Sequence, residues 1–297
     1  MIAFTYGKDT TAMARTQRSI ALACITLLSL SVLSAARAEE KIWDMDHYWR
    51  EFRGPFVHLS YGLGEPKQKL YQGEFSKLGS MELRLGYTGG KVQSSGLLDV
   101  DDRFVFFNYM SSDIHTGTPA PTTTDLAMFR YGIGWREGYA YEFSYMELLP
   151  YQQTTLNFTT IHASRPQGLS AQDAAIIDRY DNAAPFGVST EGGVAVQLSS
   201  LLFVHAGYEA SVMYPRWVFW QWSGSYIIGS VGMALVSGFG REIVKSSPEI
   251  GPVMYWILRN AAAYGYYLLL KDNQFWPFHS ETPLTTEFFK VGVGLTF

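Results

Sequence analysis

Cysteine is nearly absent: Cys24 is the only one in 297 residues. It lies in an N-terminal stretch that reads as a removable export signal, so the exported chain carries no thiol. Disulfides and thiolate metal centres are thereby excluded. A basic excess is also missing. The formal net charge is −4, and it becomes more negative without residues 1–38, which hold Lys8, Arg15, Arg18 and Arg37 against Asp9. This balance gives no support to a nucleic-acid partner. The histidines are scattered, and although His47 has Glu51 four residues on, one such pair falls short of a ligand set, so no metal and no other cofactor is expected. The stretch "GYTGGKV" superficially resembles a phosphate loop. It has no Ser or Thr after Lys91, its first glycine is misplaced, and a tight hairpin turn accounts for its glycines.

What is present begins with "MARTQR" at Met13 to Arg18, a short basic segment. The apolar run "SIALACITLLSLSVLSA" and the small-residue site Ala36-Arg37-Ala38 follow. This is the pattern of a secretory signal over residues 1–38, cleaved before Glu39. An uncleaved membrane anchor would need a longer apolar run. A lipoprotein reading of "ALAC" would need a large aliphatic at Ala21.

Aromatics make up 15% of the chain, beside 28 glycines, a mixture suited to short strands with interfacial aromatic girdles. Period-two alternation is explicit. Met81, Leu83, Leu85 and Tyr87 alternate with Glu82, Arg84 and Gly86. Val57, Leu59, Tyr61 and Leu63 alternate with His58, Ser60 and Gly62. Phe129 to Trp135 sets apolar residues against Arg130, Gly132 and Gly134, and Tyr139 to Tyr145 sets aromatics against Ala140, Glu142 and Ser144. Val204 to Tyr214 interleaves with His205, Gly207, Glu209 and Ser211. The last stretch places Phe289, Val291, Val293, Leu295 and Phe297 on one face, with Lys290, Gly292, Gly294 and Thr296 on the other. A soluble sandwich also alternates. Here, however, the polar face is thick with Gly, Ser and Ala and carries few charges, as a narrow tube requires. The apolar face carries large aromatics, as a lipid-facing band does.

These features together, closing on "KVGVGLTF", resemble a bacterial outer-membrane β-barrel protein. The resemblance covers Phe56 to Phe297 and is one of class, with no narrower family. It implies location in the outer membrane and contact with its lipid. It also implies recognition of the last strand by the barrel-assembly machinery, with Phe289, Val291, Val293, Leu295 and Phe297 as the assembly signal.

The expected fold is all-β, an antiparallel transmembrane barrel over 56–297. Candidate strands fall near 56–64, 79–88, 102–110, 126–136, 139–147, 154–162, 187–198, 202–214 and 286–297. "REG" at Arg136 to Gly138 reads as a hairpin turn between two of them. Single-chain bacterial barrels are normally even in strand number, and Ala263 to Asp272 supplies the missing strand, giving about ten, with eight or twelve as alternatives.

Residues 216–260 break the pattern. Trp217 to Gly240 carries no charge and is long enough to cross a bilayer as a helix. Glycines, Gln221 and serines interrupt it, and Arg259 sits centrally in the next apolar run, where an intramembrane charge is costly. A helical inner-membrane protein is therefore the weaker alternative. The expectation is a helical insertion after an eighth strand, on the periplasmic side, lying at the membrane interface through Trp217, Trp220 and Trp222 or beneath the barrel mouth. Two smaller helices are expected: an amphipathic lead-in over 39–55, and "SAQDAAIIDRY", with Ser170 and Asp173 as a capping-box-like start.

The lumen candidates are His58, Glu82, Arg84, Arg130, Glu142, His205, Glu209 and Lys290. They line either a salt-bridged closed interior or a narrow selective path. The functional expectation is accordingly a small channel or a structural and interaction protein, not an enzyme, with a barrel-embedded lipid-modifying enzyme or a helical inner-membrane protein as the alternatives. One stretch carries catalytic residue types, "FHSETP", with His279, Ser280 and Glu281. Lipid A deacylases are similar in using His, Ser and Glu near the C-terminus of a small barrel, but with His and Ser two apart on one strand face. Here they are adjacent, and neighbouring strand residues point to opposite faces.

Overall fold

The alternating segments pair into a closed antiparallel barrel of eight strands, seen in a computed structural model that describes residues 53–93, 96–115, 123–143, 145–166, 168–216, 218–278 and 280–297. The strands are β1 (Arg53–Lys67), β2 (Leu78–Val92), β3 (Leu98–Ser111), β4 (Asp125–Phe143), β5 (Met146–Ser164), β6 (Phe186–Gln197), β7 (Leu202–Met213) and β8 (Leu284–Thr296). Each pairs with its neighbour in sequence, and β8 returns to β1, with Val57 opposite Leu295 and Leu63 opposite Phe289. Closure leaves no unpaired strand edge. The export signal and most of the lead-in helix expected over 39–55 lie outside the described residues. Where that lead-in enters them, at Arg53, the chain is already in β1.

Eight strands replace the expected ten for two reasons. Residues 126–136 and 139–147 are not separate strands. β4 runs through Arg136, Glu137 and Gly138, pairing Gly138 with Tyr151, and continues to Phe143, which pairs with Met146 at the start of β5. Gly138 is needed there for close approach, since a Cβ would strike the Pro150 carbonyl. Alternation also keeps its phase from Phe129 to Tyr141, so "REG" has a turn's composition without a turn. The second reason is Ala263 to Asp272, which is helical. Tyr255, Arg259, Ala263, Tyr267 and Leu270 are buried at helical spacing, a 3.6 period that the run of Tyr and Leu conceals. "GYTGGKV" likewise lies inside β2, with Gly86 opposite Phe104, and is not a turn.

The two rims differ. One is closed by the short connections 93–97, 144–145 and 198–201. The other carries 68–77, 112–124, 165–185 and 214–283. At the long-loop rim, helix α1 (Ala171–Asp178) starts as its sequence suggests: the Asp173 amide donates to Ser170 Oγ at 3.0 Å and Ser170 Oγ donates to Asp173 Oδ2 at 2.8 Å. Ile176, Ile177 and the following Tyr180 drop onto Leu78, Met110, Met128, Ile161 and Phe288, forming an apolar plug across the mouth. Each fully buried side chain of that size contributes roughly 1.5–3 kcal/mol.

The insertion is two helices, α2 (Phe219–Ser246) and α3 (Gly251–Asp272). It follows the seventh strand rather than an eighth, and it leaves from the long-loop rim. Asp272 meets Lys69 in the first long loop at 2.8 Å, whereas Tyr141, near the opposite rim, donates to the Glu249 carbonyl in the inter-helix turn at 2.8 Å. The hairpin therefore runs along the outer wall of the barrel from one rim toward the other and back. At about 1.5 Å per residue, α2 is roughly 42 Å long.

Candidate functional site

Inside the barrel, alternation directs one residue in two to the axis, and register decides which meet. Ser60 lies opposite Glu82, Gly62 opposite Lys290, and Glu191 opposite Glu209. Two carboxylates facing across a ladder repel, and three cations converge to offset this. Arg84 donates through Nε to Glu82 Oε1 at 2.5 Å, through Nη1 to Gln153 Oε1 at 2.7 Å and through Nη2 to Glu191 Oε2 at 2.6 Å. Arg130 Nη1 donates to Glu209 Oε1 at 2.6 Å, and its Nη2 reaches Thr286 Oγ1 at 3.1 Å. Lys290 Nζ donates to Glu82 Oε2 at 2.9 Å and also to Glu209. Three cations thus face three carboxylates in one connected, buried cluster.

The layer toward the short-turn rim is aromatic. Phe56, Phe104, Phe106 and Phe203 pack together within the lumen. The Arg136 guanidinium, bound through Nε to Asp102 Oδ2 at 2.6 Å, stands 5.3 Å from the Tyr151 ring centroid and 5.5 Å from that of Phe203. His58 stacks on Phe203 at 5.6 Å and meets the His205 ring at 4.3 Å, while Tyr151 joins His205 Nδ1 at 2.9 Å and donates to Glu191 Oε1 at 2.5 Å. Glycine makes room for these rings: a Cβ on Gly134 would strike Phe104, and one on Gly294 would strike Phe203. From rim to rim the lumen is therefore filled in three layers, aromatic and cationic, then charge-paired, then apolar.

Of the lumen candidates, His58, Glu82, Arg84, Arg130, His205, Glu209 and Lys290 are all buried inside. Glu142 is not. Its partner is Glu147, where β4 and β5 extend beyond the β3 pairing, and it is exposed at the rim. Strand length overrides parity there. Sequence reasoning missed Glu191, Tyr151, Gln153 and the Arg136–Asp102 pair. Glu191 was legible: Val188, Thr190, Val194 and Val196 alternate with Ser189, Glu191 and Ala195. Arg136 was hidden by its assignment to a turn. On the last strand, Phe289, Val291 and Phe297 are exposed, Val293 is half-buried, and Leu295 is buried.

The "FHSETP" stretch does not assemble a catalytic group among the described residues. Ser280 Oγ accepts from the Phe275 amide at 3.0 Å and donates to Asn273, while Glu281 pairs with Arg179 at 3.0 Å. His279 lies outside the described residues. Among the described residues no three His, Cys, Asp or Glu side chains cluster as metal ligands.

The second site lies on the outer wall. α2 meets α3 through small residues: Gly229 lies under the Tyr266 ring, Gly240 under Tyr255, and Tyr266 OH donates to the Ser225 carbonyl at 2.8 Å. Such residues allow helices to approach closely without a hydrophobic driving force. Arg259 on α3 ties the hairpin to the barrel. Its Nη1 donates to Glu137 Oε2 at 2.6 Å, Ser237 Oγ at 2.9 Å and Tyr255 OH at 2.9 Å, and its Nη2 donates to Gln152 Oε1 at 2.9 Å. Tyr267 OH donates to Glu287 Oε1 at 3.0 Å toward the other rim. Between hairpin and wall an open crevice of about 420 Å³ remains. The remaining outer wall is an apolar belt that includes Leu85, Val105, Phe107, Phe129, Ile133 (53% exposed) and Phe289 (58%). The hairpin continues it with Ile227, Val231, Leu235 (71%) and Phe239.

No family model and no curated protein sequence matches the chain. Solved structures do. Neisserial surface protein A aligns at 11% identity and a TM-score of 0.35, over 82% of this chain and 97% of its own. Ail, the attachment invasion locus protein of Yersinia pestis, aligns at 8% identity and a TM-score of 0.31, over 82% and 98%. A second structure of that protein, in complex with the heparin analogue sucrose octasulfate, aligns at 8% identity and a TM-score of 0.34, over 83% and 100%. At these values the neighbours transfer no activity or ligand to this chain. The chain is a closed antiparallel eight-stranded barrel bearing a helical hairpin, with outer-membrane β-barrel proteins as structural neighbours and no specific family.

Proposed function

We propose that the protein is an outer-membrane barrel with a closed, non-conducting lumen, serving a structural and interaction role through its wall-mounted hairpin rather than as a channel or an enzyme. The single observation that carries this reading is the lumen cluster of Arg84, Arg130 and Lys290 with Glu82, Glu191 and Glu209, which spends every charge on a partner across the bore. A diffusion pore leaves its lining charges to water, and wide aqueous channels need roughly sixteen strands. The membrane setting is supported by the apolar belt, because in lipid a strand spans only as part of a closed barrel. The hairpin supports it as well: α2 is long and apolar enough to cross a membrane and exposes that surface. Short turns face the periplasm and long loops the exterior in such barrels, which puts the hairpin's roots outside and its 247–250 turn toward the periplasm. Export by residues 1–38 and delivery by the barrel-assembly machinery through Phe289 to Phe297 complete the reading.

The test is single-channel conductance of the refolded protein in a planar bilayer, beside a heat-modifiability gel. Heat-modifiable but silent protein is the expected result; steady, salt-dependent conductance would sink the closed-lumen reading. Phe297→Ser is expected to lower assembly in the outer membrane with export unchanged, and normal assembly would count against the terminal-strand signal.

A further inference from the structure

The crevice between hairpin and barrel wall is amphiphilic along its length. Its end near the long-loop rim is apolar, lined by Val188, Val212, Tyr214 and Leu270. Its other end holds Glu137, Ser237, Arg241 and Arg259. Arg259 is 6% exposed, and its Nε–H has no acceptor, although Nη1 and Nη2 both donate to neighbouring side chains. A buried donor left unmade is costly, and more so in the low dielectric of a membrane. Of the charged residues lining the crevice, two are cations and only Glu137 is an anion; Asp99 neighbours Arg241 but does not line the crevice. If the barrel stands in a bilayer, as proposed above, lipid rather than water surrounds this opening.

We infer that the crevice binds one long-chain amphiphile with an anionic oxygenated head, a fatty carboxylate or a single-chain phospholipid. The acyl chain lies between α2 and the outer faces of β5, β6 and β7. The head lies at the polar end, where Arg259 and Arg241 line the crevice. The volume falls within the 300–1,000 Å³ range of small-ligand sites. Since the polar end is nearest the short-turn rim, the head faces the leaflet on that side.

The test uses detergent-extracted protein reconstituted into phosphatidylcholine bilayer discs, with radiolabelled palmitate as probe. Palmitoyl lysophosphatidylglycerol and neutral monopalmitoylglycerol are the competitors. The expected result is saturable binding of one palmitate per barrel. Ala234→Trp and Ser230→Trp, which fill the crevice from α2, should weaken it at least tenfold, while Leu235→Trp on the lipid-facing side of the same helix leaves it unchanged. The stronger of the two anionic ligands identifies the head chemistry, and competition by the neutral lipid equal to both overturns the anionic assignment. Non-saturable partitioning, or binding unchanged in both crevice variants, overturns the site. Should the variants not fold, photo-crosslinking of wild type with diazirine palmitate decides: labels on 225–241 and 259–270 support the site, and labels only on the belt at Phe129 and Tyr131 refute it. Conductance and heat modifiability read on the same discs separate failure of this site from failure of the closed-barrel reading.

Discussion

The lumen and the hairpin-wall interface both bury charge away from water, yet they do so in opposite ways. In the lumen, contributions from β2, β4, β6, β7 and β8 converge on the axis, and three cations neutralise three carboxylates. At the wall, one arginine is shared among Glu137, Ser237, Tyr255 and Gln152, and a crevice remains beside it. The difference is geometric. A closed barrel forces inward side chains toward one another, so charges find partners by construction. A helix laid on a convex wall touches along a line, so its contacts are few and space is left at their flanks.

The sharpest way to break the comparison is Lys290→Met, which strips the cation from both Glu82 and Glu209. Leaving three buried carboxylates to two cations, Arg84 and Arg130, is expected to destabilise the barrel by about 3–5 kcal/mol, read as a shift in the urea midpoint of the heat-modifiable band. Adding Glu209→Gln should recover part of that loss, and no recovery would mean that Lys290 acts by packing alone. Next in size is Arg259→Met. Because Glu137 is partly exposed, a smaller effect of about 2 kcal/mol is expected. It should be confined to the hairpin, with faster proteolysis at 247–250 and an unchanged barrel midpoint. A loss of barrel stability equal to that of Lys290→Met would erase the distinction between the two regions. Gly229→Leu drives a side chain into the Tyr266 ring and is expected to loosen the helix pair by about 1–2 kcal/mol, measured as increased hydrogen exchange in α2. Smallest is Tyr141→Phe, which removes one hydrogen bond to the Glu249 carbonyl. An effect of about 0.5–1 kcal/mol on hairpin opening is expected, by the same exchange measurement.

Much of the barrel was legible because a strand's period is short and local. "MELRLGY" announces its inward Glu82 and Arg84 without reference to the rest of the chain, and most lumen residues follow from the same alternation. Where the reading failed, a local signal had two physical origins. Gly138 in "REG" looked like a turn residue and is instead a point of close approach to the Pro150 carbonyl. "AYGYYLLLKD" looked like a strand because aromatic and aliphatic residues follow one another too densely for a helical stripe to stand out. Glu142 kept the inward phase but lies beyond the barrel's rim, a fact about strand length rather than pattern.

By itself the sequence determined the class of fold and the direction of its side chains, because backbone pairing and side-chain alternation are properties of each strand. It also determined that helices interrupt the barrel near residue 216, since a long uncharged run with serines and glycines has no two-residue period. Only the tertiary structure decided that Arg84, Glu191 and Lys290 meet, because register between distant strands sets which inward residues share a layer. It alone placed the hairpin against the outer wall, because that position rests on Arg259 reaching Glu137 and Gln152, side chains more than a hundred residues away whose outward direction means nothing until a helix lies over them.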